Sequence, residues 1–163
     1  MLSFGCSTGE ECRTLRAYCP EATIVGVDIN LSSLAYAAAT SRNGRITYRP
    51  SRDRLIRRLA PYDVIFAMGV LCRAKESADL MDCSAVYPFK RFAERIDFFD
   101  SQLRVGGLLA LHGAQFRFSD CPAYDRYEIV PAAEKSNRWV KQFDTSNRVL
   151  SHPYTDYVFK KLA

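Results

Sequence analysis

The stretch Ser3-Phe4-Gly5-Cys6-Ser7-Thr8-Gly9-Glu10-Glu11 constrains this chain more than any other. It reads as the end of a strand, a tight glycine turn and the start of a helix. Gly5 and Gly9 permit backbone conformations and close approaches that a Cβ would block. Ser7 and Thr8 are each followed three residues later by a glutamate, Glu10 and Glu11, which is the capping-box spacing. A strand feeding such a turn is how open α/β sheets grip nucleotide-like ligands, at the carboxyl ends of their strands. The expected class is α/β: a doubly wound, Rossmann-like, mostly parallel sheet.

Two details narrow the ligand. The dinucleotide fingerprint needs three glycines as G-x-G-x-x-G, and here the middle one is absent. The phosphate loop ends in Gly-Lys-Ser/Thr, whereas Gly9 is followed by two glutamates. Carboxylates at that helix start repel a pyrophosphate. They suit a ligand with an ammonium group and no phosphate, and S-adenosylmethionine (AdoMet) is one.

Phe4-Gly5-Cys6-Ser7-Thr8-Gly9-Glu10-Glu11 resembles the first motif of class I AdoMet-dependent methyltransferases, and its wording is similar to that of the chemotaxis receptor glutamate methyltransferases. Ile24-Val25-Gly26-Val27-Asp28-Ile29-Asn30 looks like the second strand with its ribose-binding acid, and Tyr62 to Met68 looks like the fourth strand. The resemblance covers roughly residues 1 to 113. The basic N-terminal helical domain and inserted β-subdomain of the chemotaxis enzymes are not seen, so their substrate is not carried over. What the resemblance implies is AdoMet as cofactor, held by Gly5, Cys6, Ser7, Gly9, Asp28, Ile29, Ser51, Met68 and Gly69. Enzymes of this kind usually carry one or more helices before the first strand. The chain therefore reads either as a naturally short relative or as one lacking an N-terminal piece.

At 163 residues the whole chain, 1 to 163, is expected to form one domain with a real core. No apolar run approaches the length of a membrane span and nothing resembles a signal peptide. Six cysteines occur without a C-x-x-C pair, and two histidines add no metal spacing. The expectation is reduced, buried thiols in a cytoplasmic protein with no metal.

In chain order, a helix is expected from about Glu10 to Tyr18, with Cys12, Leu15 and Cys19 on one face and Pro20 as its stop. Ala22 to Val27 reads as a strand buried on both faces. Asp28 ends it, 19 residues after Gly9, a distance at which an acid accepts both ribose hydroxyls. The competing role for Asp28 is a cap for the next helix, which Asn30 can supply instead. That helix is expected to bury Leu31, Leu34, Ala35 and Ala38. Arg42 to Arg58 holds seven arginines against one acid, Asp53. One reading is an electropositive face for RNA or an anionic substrate; the other is the solvated outside of an edge strand and helix. No aromatic platform for bases accompanies the arginines, which favours the second.

Asp63 to Met68 is expected as a central strand with Met68, Gly69 and Val70 at its ligand-facing end, and Arg73 to Val86 as a loop over the site. Pro88 opens a long helix whose stripe of Phe89, Phe92, Ala93, Ile96, Phe99 and Leu103 belongs to the core. Val105-Gly106-Gly107 reads as a tight turn into a fifth strand, Leu108 to Gly113, with His112 either a core histidine or a group facing substrate. Beyond it, Tyr124 to Val130 reads as strand or loop and Glu134 to Phe143 as helix or irregular. Tyr154 to Leu162 reads as a late strand, and an antiparallel one would suit the methyltransferase topology.

The function expected is transfer of the AdoMet methyl group to a small molecule or a protein side chain. No N-P-P-Y-like segment is present, and Cys121-Pro122 reverses the Pro-Cys order used on pyrimidines, so nucleic-acid acceptors rank lower. The alternatives are an inactive AdoMet-binding module and an RNA methyltransferase using the arginine-rich face at 42 to 58. The methyl group is expected to point toward the ends of the fourth and fifth strands, and the acceptor pocket to come from the residues that follow them, the loop around Arg73 to Val86 and the stretch Phe116 to Tyr127, with Arg117, Asp120 and Tyr124 as side chains to mutate first.

Overall fold

The computed structural model describes residues 1–41, 44–131, 140–152, 155 and 157–163. A three-residue strand β1 (Leu2–Phe4) runs into α1 (Glu10–Tyr18), β2 (Ile24–Asp28), α2 (Leu31–Thr40) and β3 (Ile46–Pro50). Then come α3 (Asp53–Arg58), β4 (Tyr62–Met68), α4 (Phe89–Gln102), β5 (Leu103–His112), β6 (Tyr127–Ile129) and β7 (Val158–Lys161). The sheet has the order β3-β2-β1-β4-β5-β7-β6. Neighbours from β3 to β5 are parallel, and β7 runs antiparallel between β5 and β6. The order reverses direction between β1 and β4, the switch point at which α/β sheets open a crevice.

β2 explains why helices cover both faces. Ile24 joins Cys6, Cys12, Leu34 and Ile46 in a small core with α1 and α2. Val25 and Val27, on the alternate face, join the main core with Leu2, Ile65, Phe92, Ile96 and Phe99. A strand enclosed on both sides has no polar face, hence its continuous apolar run. The α4 stripe is core as expected, with Phe92, Ile96 and Phe99 fully buried.

The face of α2 is narrower than its sequence suggests. Leu34 and Ala37 are buried, while Leu31 is 63% exposed and Ala35 and Ala38 face solvent. β3 is the last strand on that side, so only one narrow stripe of α2 finds sheet to cover. Leu59, the C-cap of α3, is half-exposed, and Ile56 alone of that helix is fully buried. The Val105-Gly107 turn lies inside β5 as an irregularity, since pairing jumps from Tyr62↔Leu103 to Val64↔Leu108. Gly106 takes φ +76° there, and a Cβ on Gly107 would sit 2.8 Å from the Arg104 carbonyl.

Phe116 and Phe118 follow β5 outside any named strand. Both are fully buried, Phe116 against Tyr87, Phe89, Phe92 and Phe143, and Phe118 against Tyr124, Tyr127 and Phe159. Of the late segments, Tyr127–Ile129 and Val158–Lys161 are the strands; Val140–Phe143 is irregular, and 134–139, Tyr154 and Asp156 lie outside the described residues. Asp100 of α4 clasps these strands, accepting from Tyr127 Oη (2.9 Å) and pairing with Arg126 (2.6 Å) and Lys161 (3.0 Å).

Candidate functional site

The glycine turn is closed by backbone bonds. The Gly5 and Cys6 N–H groups both donate to the Val27 carbonyl, at 2.7 and 3.0 Å, and Gly9 N–H donates to the Cys6 carbonyl at 2.8 Å. Gly5 and Gly9 adopt φ near +80°, and Ser7 takes φ +47°, unusual for a residue with a Cβ. Gly9 itself is the N-cap of α1, and no side chain caps that end. The capping box expected from Ser7, Thr8, Glu10 and Glu11 therefore does not form. Glu11 instead accepts from Ser3 Oγ at 2.6 Å. Burial pushes its carboxyl above the ordinary value, and the serine bond offsets only part of this.

Asp28 joins the turn to the end of β2. Its Oδ2 accepts from Ser7 N–H and its Oδ1 from Asn30 N–H, both at 2.8 Å. Capping of α2 falls to Asn30, whose Oδ1 accepts from Ser32 and Ser33 N–H. Asp28 is thus released from the capping role. Each carboxylate oxygen offers about two acceptor sites and uses one, so both oxygens retain capacity toward a ligand.

A cleft of about 640 Å³ opens along the carboxyl ends of β1, β2 and β4, roofed by α4. That volume falls within the roughly 300–1,000 Å³ of small-molecule sites. Of the residues expected to bind a cofactor, Gly5, Asp28, Ile29, Ser51 and Gly69 line it. Ser51 is drawn in by its N–H donating to the Asp28 carbonyl (2.9 Å), and Gly69, at φ +69°, by donating to the His112 carbonyl (2.7 Å). Ile29 is 85% exposed, an apolar side chain presented at the lip.

Cys6, Ser7, Gly9 and Met68 are not among the lining residues. Ser7 reaches the cleft only through its bond to Asp28. The Cys6 thiol is buried behind the turn, beside Cys12 and over Gly26, where a Cβ would meet both sulfurs within 2.9 Å. A hydrogen bond with the Cys12 thiol and burial push Cys6 up, and the same bond pulls Cys12 down. Gly9 lacks a Cβ because Tyr48 Oη would lie 2.5 Å from it, and Gly5 because Val70 Cγ1 would lie 2.1 Å away. The crowding at both glycines comes from protein side chains.

Arg117, Asp120 and Tyr124 are not brought to the cleft. Arg117 and Asp120 pair with each other at 2.9 Å, and Tyr124 packs edge-on against Phe118. His112 lies opposite Met68 in the sheet and packs against Tyr157, outside the lining set. The expected loop contributes Arg73, with Tyr87 just beyond it.

α4 supplies what the sequence reading missed: Arg91, Glu94, Arg95 and Phe98 all face the cleft. Arg95 pairs with Asp53 at 2.7 Å and lies over the rings of Phe4 (5.3 Å) and Phe98 (4.9 Å). Positions 91, 95 and 98 are spaced i, i+4, i+7, a face adjacent to the core stripe. A run of two cations and an aromatic at helical period was the available signal. Of the arginine-rich segment, Arg45, Arg49, Arg52, Arg54, Arg57 and Arg58 are exposed; Arg45 pairs with Glu21 and Arg57 lies on Phe98. Arg42 lies outside the described residues. Among the described residues no cluster of three metal-ligating side chains occurs, and no helix is long and apolar enough to cross a membrane.

Comparison with known proteins agrees with this architecture. The profile of a family described as methyltransferase domain matches residues 2–85. No curated protein matches the sequence. Among solved structures, StiE O-MT (residues 961–1257) superposes with TM-score 0.54 at 17% identity, covering 79% of this chain and 46% of that one. AdoMet-bound CalS10, an amino pentose methyltransferase from Micromonospora echinaspora, gives TM-score 0.49 at 17% identity, covering 68% and 40%. The plantazolicin methyltransferase BamL gives 0.48 at 15% identity, covering 66% and 35%. The chain thus spans less than half the length of each of these structures.

Proposed function

Because this chain belongs to the methyltransferase domain family, with residues 2–85 carrying the match, we propose that it binds AdoMet in the α4-roofed cleft and transfers its methyl group. The observation that carries this reading is Asp28: an acid at the end of β2, relieved of capping duty by Asn30, with acceptor capacity left on both oxygens. In this reading Asp28 accepts the ribose hydroxyls, Ile29 offers its apolar side chain to the adenine, and Ser51 borders the same subsite.

AdoMet brings an activated methyl on a sulfonium, with the leaving group already built in. What remains for the protein is to orient the acceptor and exclude water. Phe4, Val70, Leu71 and Phe98 provide the apolar part of the wall that does so. Acceptors are a small molecule or a protein side chain, and the exposed arginines of β3 and α3 do not line the cleft. All six cysteines are free, in keeping with a reducing, cytoplasmic setting. Calorimetric titration with S-adenosylhomocysteine, the demethylated product, tests the reading. Binding that Asp28→Ala weakens supports it, and wild-type protein that takes up no heat from the product at millimolar concentration overturns it.

A further inference from the structure

We infer that the Tyr87 end of the cleft is an oxyanion clamp, in which Arg73 and Arg91 seat a carboxylate or phosphate carried by the methyl acceptor. The inference rests on reading the cleft as the methyl-transfer site. Arg73 follows the end of β4, and its guanidinium lies 5.4 Å from the centre of the Tyr87 ring. Arg91, in the first turn of α4, lies 5.9 Å from the same ring. Two guanidiniums are therefore gathered around one nearly buried aromatic side chain at the wall of a cavity.

The third arginine of the cleft shows what a structural one looks like. Arg95 is neutralised by Asp53 at 2.7 Å and stacked on two rings. Among the described residues, neither Arg73 nor Arg91 has a carboxylate within salt-bridge distance. Glu94 lines the same cleft but pairs with neither. Arg73 spends Nη1 on the Cys72 carbonyl at 2.7 Å, leaving most of its five N–H donors. Planar guanidinium forks match carboxylate and phosphate oxygens two at a time.

Surroundings reinforce the positive potential. The N-terminal end of α4 adds its dipole beside Arg91. Burial pushes the Tyr87 phenol up to about 12, so it stays neutral near pH 7 and does not compete as an anion. β1 separates β2, which ends at Asp28, from β4, which leads into Arg73. An anion at the clamp has two possible sources: the acceptor, or the amino-acid carboxylate of AdoMet itself.

Calorimetry separates them. Phosphate and benzoate are titrated onto wild-type protein with and without saturating S-adenosylhomocysteine; Arg73→Gln, Arg91→Gln and Arg91→Lys are then compared, with thermal melts as a folding control. S-adenosylhomocysteine and methylthioadenosine, which lacks the carboxylate, are titrated in parallel. The expected result is anion binding that each Gln variant weakens at least tenfold and Lys weakens less, with S-adenosylhomocysteine affinity within about twofold of wild type. Loss of S-adenosylhomocysteine affinity with methylthioadenosine unaffected overturns the inference, because the clamp then holds the cofactor. Equal anion binding in wild type and variants, or none in wild type at millimolar concentration, also overturns it. A wild type that ignores S-adenosylhomocysteine yet loses anion binding on Arg73→Gln and Arg91→Gln refutes the methyl-transfer reading and keeps the anion site.

Discussion

Asp28 is the position at which a single atom exchange tests the site. Its two oxygens each accept one backbone N–H, from Ser7 and from Asn30, at 2.8 Å. Asp28→Asn keeps the shape but replaces one acceptor by an NH2 donor. One of the two backbone donors must then turn to water, and that face of the side chain no longer accepts a ribose hydroxyl. The loop bond is exposed and worth about 1 kcal/mol, so the melting temperature is expected to fall by roughly 2–4 °C. The lost bond from a carboxylate to a ligand hydroxyl costs a further 1.5–3 kcal/mol or so. Affinity for S-adenosylhomocysteine is then expected to drop about tenfold to a hundredfold. Asp28→Ala, which removes both acceptors, should fall at or beyond the upper end. Differential scanning fluorimetry measures the first quantity and isothermal titration calorimetry the second. A Kd for Asp28→Asn within twofold of wild type, with the fold intact, would show that the carboxylate serves the turn alone.

The remaining predictions concern the scaffold. Gly5→Ala and Gly9→Ala are expected to lower the melting temperature by several degrees, because the new Cβ meets Val70 or Tyr48 at positive φ; melts matching wild type would refute this. Glu11 holds its proton to higher pH in the folded protein than in the unfolded chain, so stability falls as pH rises from its ordinary 4.5 through the raised value. Glu11→Gln should flatten that part of the Tm–pH curve and raise Tm at pH 7, and an unchanged curve counts against it. At Asp100 burial alone would raise the carboxyl, but bonds from Arg126, Lys161 and Tyr127 outweigh it and hold it below the usual range. Its contribution is present above the ordinary 3.8 and is lost as pH falls through the lowered value. Asp100→Asn leaves the largely buried Lys161 ammonium on the backbone carbonyls of residues 100 and 103 without its counter-charge and should cost about 3 kcal/mol, seen as a Tm roughly 6–12 °C lower.

The parallel half of the fold was legible because its determinants are local. A glycine turn, an apolar run ended by Asp28 and an aromatic stripe at helical period each specify one element, and their order leaves few topologies. The turn residues were legible as residues but not as roles. Spacing alone made Ser7, Thr8, Glu10 and Glu11 a capping box. The left-handed φ at Gly9 aims the chain so that Glu11 meets Ser3, a contact set by the packing of α1 on β1 and invisible at i, i+3.

The cleft lining was legible only in part, for a different reason. Chain order pointed to the segments that follow β4 and β5: the loop that contributes Arg73, and the stretch that holds Arg117, Asp120 and Tyr124. The aromatic demand of the main core decides otherwise. Phe118 and Phe159 draw Tyr124 inward, and Arg117 is held to Asp120. The wall left open is α4, where burial of Phe92, Ile96 and Phe99 on one stripe turns Arg91, Arg95 and Phe98 toward the strand ends. A helix that buries one face presents its neighbouring face at the rim of whatever it covers. Here it covers the switch point between β1 and β4. The residues that flank the core stripe of this helix, Arg91, Arg95 and Phe98, therefore share the cleft wall with Arg73 from the loop after β4.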